Sequence, residues 1–169
     1  SEEDWLKLKT MTSNLGQAVA PDACYLALRG LRTLSVRLEQ HQESALTVAE
    51  WLKNRPEVIQ LLHPAFESCP GHDIWKRDFS GSSGLFSFII QYVQPEKVRN
   101  MLNNFQYFKM GFSWGGFESL ILQSDPAKNR SAVKWENSGL LFRVHIGQED
   151  VQDLISDLKI GFDRLSGKE

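Results

Sequence analysis

The apolar pattern of this chain changes period at Asn54-Arg55-Pro56, and that change decides which folds are open to it. Upstream, Leu34, Leu38, Ala45, Val48 and Leu52 recur mostly three, four or seven residues apart, which is one face of an α-helix. Pro21-Asp22 supplies a helix start, with proline at the first position and an acid in the first turn. Gly30 interrupts the pattern and predicts a break between a short helix and a long one. The residue before Pro56 is pushed out of the helical region, so the helix ends there. Downstream, apolar residues come in short runs bounded by turn residues. Strands are expected at 58–62, closed by His63-Pro64, and at 84–90, 120–123 and 140–146. The polar stretch from Ser68 to Asp78, with Pro70-Gly71, reads as a loop holding a single helical turn. Pro95 opens a short helix through Met101 or Leu102. Gln148-Glu149-Asp150 start another, with Val151, Leu154, Ile155, Leu158 and Phe162 on one face. Long helices followed by mixed strands and helices predict an α+β fold, a mainly antiparallel sheet with helices packed on one side. The opening helices either dock against something outside the domain or belong to its own core, and the sequence leaves both readings standing.

Composition narrows the function classes. A chain of 169 residues is long enough for one domain with a real core. A net charge of -2 gives no electrostatic footprint for nucleic acid or an anionic membrane. No apolar run approaches the roughly 20 residues that span a bilayer. Ser1-Glu2-Glu3-Asp4 is acidic with no apolar region behind it, so it does not read as a signal peptide. The missing initiator Met fits a trimmed or truncated chain. Cys24 and Cys69 are too few for a disulfide scaffold, and a cytoplasmic location is expected.

Two features could carry chemistry. The stretch Phe112-Ser113-Trp114-Gly115-Gly116-Phe117-Glu118-Ser119 joins adjacent glycines, which permit positive φ and close backbone approach, to a hydroxyl and a large aromatic wall. Successive amides in such a turn can converge on an anion; equally, the stretch can be a tight turn with Trp114 buried. Arg143 lies inside an apolar strand, where alternation puts Leu141, Arg143 and His145 on one face and Phe142, Val144 and Ile146 on the other. Its planar fork suits a bound carboxylate, and suits an internal salt bridge or an exposed strand face as well. His145 reads as a structural histidine. Ser131 to Lys134 matches S-x-x-K without its companion motifs. Gly81-Ser82-Ser83-Gly84 precedes a strand where a phosphate loop would open a helix. His63, Cys69 and His72 lack zinc-site pairing.

Four runs occur in one order: Leu28 to Leu34, Trp75 to Phe88, Ser113 to Leu120, and Arg143-Val144-His145-Ile146-Gly147. Together they resemble the carboxyl-terminal part of the transsulfuration group of pyridoxal-phosphate enzymes, over nearly the whole chain. Trp114 within Ser-Trp-Gly-Gly and the Trp75 run favour the cystathionine β-lyase branch over γ-synthases and γ-lyases, which stay as alternatives beside sulfhydrylases and a non-catalytic module of the same descent.

The resemblance implies a fold-type I small domain at 56–169, and at 1–55 a helical segment joining it to a cofactor-binding domain outside this chain. It implies that Arg143 binds the substrate α-carboxylate, supported by Ser113 and the backbone N–H of Trp114, with Ser113 also helping to orient the catalytic lysine. That lysine belongs to the absent domain, and no lysine here has the Ser-x-x-Lys-Tyr context, so the chain alone is expected to be inactive. The implied cofactor is pyridoxal 5'-phosphate, bound mostly outside this chain. The implied reaction converts cystathionine to homocysteine, pyruvate and ammonia in a cytoplasmic homotetramer, with no nucleic-acid or membrane partner and no metal.

Overall fold

The computed structural model describes residues 1–128, 130–137 and 139–167, so the expected domain 56–169 runs two residues past the described ones. Contacts divide the chain into two compact units, Ser1–Val36 and Arg37–Glu169.

In the first unit α1 spans Glu2–Asn14 and α2 spans Pro21–Arg32. The sequence reading found its first helix signal only at Pro21. What starts α1 is a capping box: the Ser1 hydroxyl accepts the Asp4 N–H at 3.2 Å and donates to the Asp4 carboxylate at 2.8 Å. The break expected at Gly30 falls instead at Thr33. There the N–H and the hydroxyl both turn back to the Gly30 carbonyl, at 3.3 Å each, which is the competition a β-branched hydroxyl residue offers a helix. No residue of α1 or α2 is buried, and Trp5, Leu8, Met11, Tyr25 and Leu31 all lie exposed.

The helix α3 spans Leu34–Lys53 and buries His41, Ser44, Ala45, Val48, Ala49 and Leu52. That face belongs to the core of the second unit, which is why the contact boundary falls at 36/37 rather than at 55/56. After α3 come β1 (Val58–Leu62), α4 (His72–Asp78), β2 (Leu85–Ile90), α5 (Pro95–Asn103), β3 (Leu120–Ser124), β4 (Leu140–His145) and α6 (Val151–Ser166). The segment read as a loop with one helical turn thus holds a seven-residue helix. It starts at Gly71 (φ 85°) and is fixed by hydrogen bonds from His72 Nδ1 to the Pro64 carbonyl at 2.8 Å and from the Trp75 indole to the Gly81 carbonyl at 3.1 Å.

The four strands form one antiparallel sheet in the order β1-β2-β4-β3. One face, carrying Phe86, Phe88, Ile121, Phe142 and Val144, packs against the buried faces of α3, α5 and α6. Phe88 stacks on Phe142 with ring centroids 5.4 Å apart, and each fully buried phenylalanine contributes about 2–3 kcal/mol. The other face carries Arg143, registered with Ser87 on β2 and Leu122 on β3, and His145, registered with Leu85 and Leu120. Among the described residues no helix is long and apolar enough to cross a membrane.

The entry to β3 is held from α6. The buried Asp157 carboxylate accepts the N–H groups of Gln106, Tyr107 and Phe108 at 2.9, 2.7 and 3.2 Å. Lys109 then pairs with β3, its N–H donating to the Ser119 carbonyl at 3.0 Å and its carbonyl accepting from Ile121 at 2.9 Å.

His63 is fully buried against Phe66 and Phe86, its Nδ1 accepting the Ala65 N–H at 3.2 Å while Nε2 has no partner among the described residues. Burial pulls its pKa down from 6.5 to about 4. As pH falls the unfolded chain takes up this proton first, so the stability contributed by neutral His63 is full above pH 6.5 and is lost on the way down to about 4. His63→Asn keeps an acceptor for Ala65 and does not titrate. Its urea midpoint is expected to fall less steeply than that of the parent between those pH values, and parallel pH curves would rule the assignment out.

Candidate functional site

The chain between Lys109 and Ser119 loops out from its pairing with β3 and passes over the β4 face that carries Arg143. The Arg143 Nη2 donates to three consecutive carbonyls, those of Gly111 at 3.3 Å, Phe112 at 2.8 Å and Ser113 at 3.4 Å. The internal salt bridge open in the sequence reading does not form: no ion pair among the described residues includes Arg143. Its Nε and Nη1 hydrogens meet no acceptor among the described residues. The guanidinium is therefore aimed by dipoles while its charge stays uncompensated.

Ser113 follows on the exposed crest of the loop, and neither its hydroxyl nor the Trp114 N–H is hydrogen-bonded to a described residue. Trp114 is 60% exposed, so the reading in which it is a buried turn residue does not hold for this chain. Phe112 and Phe117 flank it at 87% and 70% exposure and make an apolar rim. Of the paired glycines only Gly115 takes the left-handed conformation, at φ 86°. Its N–H faces His145 Nε2 at 3.2 Å, so this amide is turned into the fold rather than into an open anion nest.

His145 is buried, with Nε2 also 3.0 Å from the Gly116 carbonyl. Burial is the main cause that pulls its pKa below the ordinary histidine value, with His41 and Arg143 adding to it and the Gly116 carbonyl and Glu149 opposing it. The His41 ring lies 5.1 Å away, and its Nδ1 donates to the Ile146 carbonyl at 2.7 Å.

The far end of the loop is tied to the turn after β4. Glu149 accepts both the N–H and the hydroxyl of Ser119 at 2.8 Å, and the Ser119 Oγ accepts the Gly147 N–H at 2.8 Å. The Gln148 N–H donates to the Phe117 carbonyl at 2.8 Å. A Cβ on Gly147 would lie 2.2 Å from that carbonyl, so only glycine admits this approach. Sequence reasoning missed Ser119, Glu149 and His41. In the sequence Glu149 reads only as a helix-start acid, and nothing local marks Ser119 as its partner 30 residues away.

The structure thus brings Ser113 and Arg143 together through the Ser113 carbonyl, with Trp114 next to them on the exposed side. Lysines do not join them by burial: every described lysine is exposed.

The sequence profile of the Cys/Met metabolism PLP-dependent enzymes matches residues 1–163. A curated relative described as cystathionine beta-lyase, from Haemophilus influenzae, is 51% identical over 96% of this chain and 42% of its own length. A solved cystathionine gamma synthase from Xanthomonas oryzae pv. oryzae, in complex with cystathionine, superposes with a TM-score of 0.75 at 34% identity, covering 92% of this chain and 41% of that one. A putative O-acetylhomoserine (thiol)-lyase from Campylobacter jejuni, solved with N'-pyridoxyl-lysine-5'-monophosphate, gives a TM-score of 0.75 at 32% identity over 91% of this chain and 36% of that one. The chain therefore spans about two-fifths of the length of the curated relative it matches, and its fold is that of part of a fold-type I PLP enzyme.

The Ser119 knot gives a direct test of how the loop is held. Ser119→Ala removes the oxygen that serves both Gly147 and Glu149, leaving a buried N–H and a carboxylate oxygen unpaired. Stability is expected to fall by about 1–3 kcal/mol in urea denaturation, and a change below about 0.5 kcal/mol would show that the knot does not hold the loop.

Proposed function

The chain belongs to the family of Cys/Met metabolism PLP-dependent enzymes, and from that membership we propose that it is the carboxyl-terminal part of a cystathionine β-lyase and carries the seat for the substrate's α-carboxylate. The observation that carries this reading is the state of Arg143: a half-buried guanidinium held by the Gly111, Phe112 and Ser113 carbonyls, without a carboxylate, and with Nε and Nη1 unused. A buried or half-buried cation without an anion is costly unless an anion is meant to arrive. Nε–H and Nη1 lie on different edges of the guanidinium, so an amino-acid carboxylate takes a charged hydrogen bond from one of them, and pairs bidentately only by replacing a loop carbonyl on Nη2.

The neighbouring groups extend the seat. The Ser113 hydroxyl is assigned to the same seat; the Trp114 N–H shares a trans peptide with the Ser113 carbonyl that faces Arg143, so that peptide has to turn before this N–H can join. Holding that end of the substrate fixes where its Cα–H and Cβ–S bonds point. Pyridoxal phosphate supplies the electron sink for breaking those bonds, and its covalent seat is assigned to the part of the enzyme beyond these residues. This chain binds and orients; alone it is inactive. The unburied apolar residues of α1 and α2, such as Trp5, Met11 and Leu31, are assigned to contacts with the rest of a homo-oligomeric, cytoplasmic enzyme.

The full-length enzyme is expected to bind pyridoxal phosphate and to release pyruvate from cystathionine. Release of 2-oxobutyrate instead would make it a γ-lyase, and a full-length protein that takes up no pyridoxal phosphate would leave a non-catalytic module. In that enzyme Arg143→Ala is expected to raise KM and to lower kcat/KM by on the order of 2–5 kcal/mol, the cost of losing a charged contact. An unchanged KM would make Arg143 structural.

A further inference from the structure

His145 belongs to β4, two residues beyond Arg143 and on the same face. Its ring is enclosed: the side chain is 2% exposed, the His41 ring lies 5.1 Å away, and a Cβ on Gly84 would sit 3.1 Å from Nδ1 and Cε1. Nδ1 is buried without a partner among the described residues. The ring's polar contacts all pass through Nε2, to the Gly115 N–H at 3.2 Å and the Gly116 carbonyl at 3.0 Å. A carbonyl can only accept and an amide can only donate, so the two contacts belong to different tautomers. Whichever nitrogen holds the proton, the ring grips the backbone of this glycine pair, by the Gly115 N–H in one tautomer and by the Gly116 carbonyl in the other.

This places Ser113 and Trp114 between two grips from one strand. Arg143 holds the carbonyls of Gly111 to Ser113, and His145 holds the next two residues after Trp114. Gly115, at φ 86°, resists neither rotation nor relaxation on its own account. We propose that His145 is a positioning residue of the carboxylate seat: through Nε2 it fixes the backbone at Gly115 and Gly116, and thereby the setting of the Ser113-Trp114 segment. The proposal rests on the reading of Arg143 as that seat.

The test uses the full-length holoenzyme with cystathionine. His145→Phe keeps an aromatic ring and removes the polar tether. His145→Asn keeps a polar group that stops short of the Nε2 position, and His145→Gln carries an amide to it. His145→Phe and His145→Asn are expected to raise KM about 5- to 10-fold, with kcat within about 2-fold, as loss of one hydrogen bond to a binding loop implies. His145→Gln is expected to stay within about 2-fold of the parent in both constants. General misfolding would lower the active fraction and so kcat, without separating Gln from Asn. A KM that is unchanged in His145→Asn, or raised equally in Asn and Gln, overturns the proposal. If Arg143→Ala also leaves KM unchanged, the carboxylate seat itself is wrong. If Arg143→Ala raises KM while the His145 series does not, only the positioning role fails.

Discussion

Side-chain alternation along β4 is the constraint on which the rest of the structure depends. The strand lies between β2 and β3 and is hydrogen-bonded on both sides. Phe142 and Val144, both fully buried, are drawn to the helical side by the apolar core, where Phe142 stacks on Phe88. The pleat then leaves no choice for the residues between them: Arg143 and His145 must face the other way, about 7 Å apart along the strand. A slip of one residue would put a guanidinium into the core and a phenylalanine under the loop, so the energy of core packing also protects the register of the site. The loop from Gly111 to Ser119 lies where both side chains can reach it. Its shape is set less by its own sequence than by what β4 presents to it.

Much of this was legible in the sequence, and the reasons differ by element. Strands at Val58–Leu62, Leu85–Ile90 and Leu140–His145 announced themselves because apolar runs of that length between turn residues have few other uses. The helix α6 did so because its apolar face and its start at Asp150 agree, the Asp150 carboxylate accepting from Gln152 and Asp153. The face of β4 that carries Arg143 followed from alternation alone. The helix α4 did not, because its support comes from Pro64 and Gly81, outside the segment. Nor did the break at Thr33: glycine is the stronger breaker on propensity, yet Gly30 stays helical and the threonine hydroxyl decides. The knot of Ser119, Gly147 and Glu149 was illegible for a different reason. Each residue has an ordinary local role, and only folding brings partners 28 and 30 residues apart within hydrogen-bond reach.

The distribution of acids around the loop follows a consistent logic. Its two ends are held by carboxylates that accept backbone N–H groups, Asp157 at Gln106 to Phe108 and Glu149 at Ser119. Neither carboxylate pairs with Arg143. In its middle the loop is held instead by carbonyl dipoles on a guanidinium and by a histidine ring. An aspartate in the middle would orient Arg143 equally well, but it would also cancel the charge, and an incoming carboxylate would then have to displace it. Carbonyl oxygens orient without neutralising, and because the guanidinium is planar, gripping Nη2 turns the remaining N–H groups in a defined direction. A lysine at this position could make the same contacts but would have no plane to fix. What the loop gives Arg143 is direction and what Arg143 gives the loop is shape, so the guanidinium and its scaffold are ordered by the same three hydrogen bonds.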